Sequence, residues 1–226
     1  LNLLQHKADV GVLAAPLPPG VVSRAQWGAR NTGACGSGHN PNFLTVHHTA
    51  TPNNDSISSP ARMRQMQAFH IDNNGWCDFG YHFTVGIDGS VYQGRNPDVT
   101  GAHVGNWNSG NVGISVVGTF INFSPRASQL DALTSISRWV VDRYAIPRSR
   151  NNIRGHKEWP GHTSNSCPGL LLPWLPTLVS RLQGGGGGGG GTTSGVLESF
   201  ESTQGRFDSA PTASGSTVGI AASSTS

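Results

Sequence analysis

The chain contains no apolar window approaching the roughly eighteen residues of a membrane-spanning helix, which excludes a helical span. Charge is scarce as well, with Asp, Glu, Lys and Arg together making only 12% of 226 residues. The fifteen Lys and Arg are scattered, and without a basic run nucleic-acid binding is not expected. A net charge of +3 leaves a weak attraction to anionic polymers. The chain begins at Leu1 without the charged start and apolar core of a signal peptide, so a trimmed or fragmentary sequence is expected. Abundant Gly, with Ser, Thr and Asn crowding the loops, suits a secreted, extracellular or cell-wall-associated protein, expected as a monomer.

Cysteine is nearly absent, and the three present are an odd number. One metal thiolate and one disulfide, Cys35–Cys77, would account for all of them; two free buried thiols are the alternative. The thiolate candidate is Cys167, eleven residues after His156 on what reads as one long loop. Imidazole and thiolate suit Zn²⁺, and a catalytic zinc site takes about three protein ligands and keeps one position open. A third ligand must come from elsewhere in the chain. His47, ending the apolar run Phe43-Leu44-Thr45-Val46, is the candidate. A zinc hydrolase built on His47, His156 and Cys167 is therefore expected. Side chains alternate along a strand, so His48 faces away from His47 and packs or hydrogen-bonds. His162 as a fourth ligand would close the open position, and Glu158 reads as an exposed loop acid before it reads as a general base.

Along the chain, residues 1–19 lack periodicity and end in Pro16, Pro18, Pro19 and Gly20, which suggests a leader or arm. Phe43 to Thr49 predicts a buried strand. Ser59 and Pro60 open a helix whose Met63, Met66 and Phe69 form a core stripe. Tyr81–Ile87 and Ser90–Gln93 flank Asp88-Gly89 as a hairpin, and Val112–Val117 predicts another strand. Ser128 with Asp131 opens a helix carrying Leu130, Leu133, Ile136, Val140 and Tyr144, stopped by Pro147; Leu170–Leu182 predicts a last helix interrupted by Pro173 and Pro176. Strands alternating with helices imply an α/β domain at 20–183, a central mixed β-sheet flanked by helices with the metal loop at its edge. The unbroken run Gly184–Gly191 marks a linker over 184–195, and 196–226 predicts an incomplete, β-type C-terminal module.

Val46-His47-His48-Thr49-Ala50, Gly75-Trp76-Cys77-Asp78-Phe79-Gly80-Tyr81-His82-Phe83, Gly101-Ala102-His103, Asn111-Val112-Gly113-Ile114-Ser115, Gly155-His156 and Cys167-Pro168-Gly169 occur in that order. From about Val21 to Leu182 the chain thereby resembles the type 2 N-acetylmuramoyl-L-alanine amidases and peptidoglycan recognition proteins. The resemblance implies zinc on His47, His156 and Cys167, and Tyr81 as the tyrosine beside the reacting water. It implies a secreted enzyme that hydrolyses the amide between N-acetylmuramic acid and L-alanine in bacterial peptidoglycan. The alternative is a receptor of the same fold that binds muropeptides without cleaving them. Receptor members often have serine at the cysteine position, and this chain keeps the cysteine. Asn165 stands where the family often has threonine or lysine and is the second expected catalytic donor. His48, Trp76, His103, Trp107 and Asn111 are the expected lining of the glycan-peptide groove.

Overall fold

The computed structural model describes residues 16–54 and 56–184. The first fifteen residues of the expected arm, the linker beyond Gly184 and the expected module at 196–226 lie outside the described residues. Helix α1 (Arg24–Trp27) precedes strand β1 (Phe43–His48), and α2 (Ser59–Ala68) runs into a π-helical turn at Phe69–Asn73. Strands β2 (Phe83–Val85), β3 (Val91–Gln93) and β4 (Asn111–Val116) follow, then α3 (Ala127–Arg143), β5 (Ile153–Gly155) and α4 (Leu171–Gln183). The five strands form one mixed sheet in the order β3-β2-β4-β1-β5. Strand β1 runs parallel to both β4 and β5, and the β2–β3 hairpin supplies the antiparallel pair. Among the described residues no helix is long and apolar enough to cross a membrane.

Strand alternation gives this sheet two different faces. Leu44, Val46, Phe83, Val85, Val112, Ile114, Val116 and Ile153 share one face and pack with Leu133 and Val140 of α3 and Leu175, Leu178 and Leu182 of α4. Thr45, His47, Thr84, Gly113 and Ser115 alternate with them and point the other way; the polar ones are buried too. Thr45 Oγ1 donates to Asn111 Oδ1 at 2.9 Å and receives Trp159 Nε1–H at 2.9 Å, while Thr84 and Ser115 bond each other at 2.8 Å. A buried hydroxyl without a partner would cost about 1–3 kcal/mol, so this face is built from matched pairs.

Three local expectations need correction. Helix α3 starts at Ala127, before Ser128, because the Gln129 side chain reaches back and its Oε1 accepts the Arg126 N–H at 3.1 Å. Helix α4 is continuous across both prolines: Pro173 sits in its first turn, where a missing N–H does no harm, and Pro176 is held inside the helix by the buried stripe Leu171, Trp174, Leu175, Leu178 and Leu182. Phe69 is 55% exposed instead of core. The wider π-helical turn that begins there rotates Phe69 outward and His70 inward, a register change that a 3.6-residue period does not anticipate.

Candidate metal centre

Parallel pairing of β1 with β5 puts Val46 opposite Gly155, and a histidine follows each, His47 within β1 and His156 just beyond the end of β5. The two rings therefore meet, His47 and His156 lying 4.7 Å apart between centroids. The loop after His156 returns Cys167 to the same place: Lys157 N–H donates to Cys167 O at 3.1 Å, and His48 N–H points at Cys167 Sγ at 3.3 Å. Asn165 Oδ1 accepts the Cys167 N–H at 2.8 Å and fixes the turn that carries the sulfur. One donor atom from each of His47, His156 and Cys167 lies within 4.8 Å of the others. The His47 Nδ1 to Cys167 Sγ distance is 3.7 Å, close to the edge of about 3.5 Å that tetrahedral Zn–N and Zn–S bonds would give. Two imidazoles and a thiol on one small sphere are a donor set that fits zinc.

The electrostatics favour neutral imidazoles here. Burial lowers His47 well below the usual histidine value, with His103, His156, His48 and His162 adding to the shift. Burial likewise brings His156 down to about 4, with His162 and His48 adding, and His103 down to about 3. Burial pushes the Cys167 thiol up to about 12 against the opposing His48 N–H. A thiol so placed is a poor free nucleophile at neutral pH, whereas an adjacent dication would deprotonate it outright. The Tyr81 ring lies 5.1 Å from that of His47, and burial, with Cys167 nearby, raises its phenol pKa so that the proton stays on oxygen.

Tyr81 also lines a groove of about 570 Å³ with Thr49, Pro52, Met66, Phe69, His70 and Trp76. Disulfide Cys35–Cys77, closing a separation of 42 residues, anchors the segment that carries Trp76 and Tyr81. A separate depression of about 490 Å³ beside Cys35, where Arg24 is paired with Asp78 at 3.0 Å, shares no residue with this groove.

Residues 37–170 match the family model described as N-acetylmuramoyl-L-alanine amidase. The chain belongs to this amidase family. Peptidoglycan-recognition protein SC2 of Drosophila melanogaster is 34% identical over 154 residues, covering 66% of this chain and 80% of that protein. Peptidoglycan recognition protein 1 of Bos taurus is 35% identical over 155 residues, covering 67% and 80%. Among solved structures, human PGRP-IβC in complex with glycosamyl muramyl pentapeptide aligns with a TM-score of 0.60 at 30% identity, covering 69% of this chain and 93% of that one. The mixed sheet with flanking helices is the fold of this family.

Within this amidase-family site, the expected ligands His47, His156 and Cys167 come together, Tyr81 stands against them, and Trp76 lines the groove. Other expected groove residues are not among those that line this groove. His48 is buried on the apolar side, where its Nδ1 accepts the Phe120 N–H at 3.2 Å. Asn111 is fully buried between Thr45 Oγ1 and Trp107 O, to which its Nδ2 donates at 2.9 Å. His103 is buried with both ring nitrogens engaged, by His47 and by Asn111 O. Trp107, 39% exposed, lies tilted against Trp159 at 5.2 Å between centroids and donates to Pro160 O at 3.2 Å, beside the metal loop. Asn165 is partly buried in that loop with its oxygen committed to Cys167. Glu158 accepts the Gly155 N–H at 2.7 Å and pairs with Arg150, which holds the start of the loop.

His70, absent from the expected groove, lies against both Trp76 and Tyr81 with centroid distances of 4.8 and 5.7 Å. Its spacing of four residues from Met66 was the available signal, masked by the π-helical turn.

Proposed function

We propose that the chain is a zinc-dependent N-acetylmuramoyl-L-alanine amidase acting on bacterial peptidoglycan. The observation that carries this reading is the convergence of His47, His156 and Cys167 next to a groove that shares Tyr81 with them. His47, His156 and Cys167 would hold the metal, which supplies a water acidified to a pKa of about 7 and polarisation of the scissile carbonyl. Tyr81 keeps its proton and donates it as a hydrogen bond to the carbonyl oxygen when negative charge develops there. The leaving amine of L-alanine must gain a proton, and the same hydroxyl can relay one that the attacking water gives up, ending with its own proton restored. The amide nitrogen of Asn165, its oxygen being held by Cys167 N–H, is the end available for a second hydrogen bond to substrate. Phe69, Trp76 and His70 offer ring surfaces against which a glycan or stem peptide can lie. The disulfide supports an extracellular setting, where such bonds persist.

A second reading is a peptidoglycan receptor that binds without cleaving. The recognition-protein names of the relatives, and the muramyl pentapeptide bound to human PGRP-IβC, favour it. Mass spectrometry of a muramyl pentapeptide incubated with the zinc-loaded chain separates the two. Release of the free muramic sugar and the intact peptide, abolished in His47→Ala, is the expected result. Bound but uncleaved ligand, on a protein that demonstrably holds zinc, would leave the receptor.

A further inference from the structure

Both histidines at the metal centre make the same unusual contact: the ring nitrogen turned away from the site meets a second histidine. His47 Nε2 lies 3.1 Å from His103 Nδ1, and His103 Nε2 lies 3.1 Å from the carbonyl oxygen of Asn111. His156 Nε2 lies 3.1 Å from His162 Nδ1, and His162 Nε2 lies 3.0 Å from the carbonyl oxygen of Gly105. A carbonyl oxygen only accepts, so the nitrogen facing it must carry the hydrogen. A neutral ring has one such hydrogen, which makes Nδ1 of His103 and of His162 an acceptor. The ligand histidine must then donate from Nε2, and its own Nδ1 is left as a bare lone pair. Two separate chains of contacts thus enforce one tautomer on both rings.

We propose that His103 and His162 are positioning residues that hold His47 and His156 in the Nε2–H tautomer, with both Nδ1 atoms presented to zinc. The proposal rests on the zinc reading of the site and deepens it. Outer partners of this kind orient ligand rings and raise their basicity, and they are usually carboxylates or backbone carbonyls. Here a histidine is interposed before each carbonyl, which extends the reach of the backbone by one ring. Both carbonyls lie at or near one loop. Asn108 Oδ1 shapes it by accepting the N–H groups of His103 and Val104 at 2.7 and 2.8 Å, and Trp107 ties it to Pro160 of the metal loop. The 101–111 segment accordingly clamps two ligands of separate origin, His47 in β1 and His156 just beyond β5.

His162 is the informative member. It sits within the loop between His156 and Cys167, held by its N–H to Trp159 O at 2.9 Å, and is only partly buried, so replacing it leaves the interior intact. It lies outside the converging donor set, so its contact with His156 is that of a supporting residue.

The test uses the full chain labelled with ¹⁵N-histidine. Long-range ¹H–¹⁵N spectra of the metal-free protein report each ring's tautomer, and zinc affinity is measured separately by competition with a chromophoric chelator. The wild type is expected to show His47 and His156 as Nε2–H tautomers. His162→Leu should release His156 to a mixture and weaken zinc binding about 10–100-fold, leaving the His47 tautomer unchanged. His162→Asn, which can place an acceptor oxygen near the Nδ1 position, should recover much of the affinity. Unchanged zinc affinity and an unchanged His156 tautomer in His162→Leu would overturn the positioning role while leaving the metal site standing. A zinc-shifted nitrogen on His162 would also overturn it, by making that residue a ligand. Failure of the wild type to bind zinc would overturn the zinc reading and the proposal with it.

Discussion

On one face of the sheet Leu44, Val46, Val112 and Ile114 pack against α3 and α4; on the other, Thr45, His47, Gly113 and Ser115 alternate with them along the same two strands. Burial is the same on both faces, yet the chemistry of the interior differs. The apolar face is stabilised by area, roughly 25 cal/mol per Å² removed from water, and area has no direction. On the polar face each group is stable only while a particular partner stays in place, because an orphaned donor or acceptor costs more than the bond contributes. Stability and chemistry are thus assigned to opposite sides of a layer one residue thick. Perturbing either side should leave the other largely untouched.

Acid gives the largest expected effect, because the polar side collects the buried histidines. Burial, with Arg95 adding and Asp78 opposing, holds His70 down to about 4 from an ordinary 6.5, and burial also lowers His82 and His103. Folded rings stay neutral where unfolded ones take up a proton, so stability is full above pH 6.5 and falls as pH drops toward 4. For His70 alone the gap amounts to about 3 kcal/mol at about 1.4 kcal/mol per pKa unit, and the other rings add in the same direction. Urea unfolding of the metal-free protein from pH 7 to pH 4 should show this loss, reduced by about one proton's worth in His70→Gln. A flat profile would remove the polar face as the source of acid lability.

The next test exchanges the two properties directly. Leu133→Ala deletes a fully buried side chain of α3 and should cost about 2–5 kcal/mol of stability, with zinc affinity and turnover of the folded protein retained. Tyr81→Phe removes one hydroxyl from the groove and should lower turnover about 10²–10³-fold, as loss of one oxyanion donor does, with the melting temperature and zinc affinity retained. Thermal unfolding, chelator competition and muropeptide release are measured on both variants. A loss of zinc affinity in folded Leu133→Ala would mean that the faces are coupled.

The apolar face was the more legible in the sequence. Leu130, Leu133, Ile136 and Val140 repeat at the helical period, and Val46, Val112 and Ile114 sit in β-rich runs, so burial could be read from periodicity alone. On the polar face residue type was legible and direction was not. His47, His156 and Cys167 could be proposed from ligand chemistry and family order, and strand alternation separated His47 from His48. His103 and Asn111 were expected to meet substrate because polar residues near a motif look available; in the fold each is consumed by a buried neighbour. No period records such pairings, since Asn111 meets Thr45 across 66 residues and His47 meets His103 across 56. Phe69 was misassigned to the core, and His70 carried no expectation, for the opposite reason, a local change of helical period.

The finest test lies within two adjacent residues of β4. Gly113 has no side chain, and a Cβ there would meet three atoms of the His103 ring at 2.5–2.7 Å. Its backbone has little freedom to yield, since Gly113 pairs with Thr45 in the sheet and its N–H donates to His82 Nδ1 at 2.9 Å. In Gly113→Ala the His103 ring must therefore move, and the 3.1 Å contact to His47 Nε2 goes with it. Such overpacking costs about 1–3 kcal/mol; disturbing the outer partner of a ligand should also weaken zinc binding about 10-fold. Val112→Ala, one residue earlier, opens space on the α3–α4 side and should cost a similar amount of stability. It touches no histidine contact, so zinc affinity should hold. Equal losses of zinc affinity in the two variants would mean that general loosening of β4, not the His103 contact, governs the site. A loss confined to Gly113→Ala would show that one strand separates the two functions residue by residue.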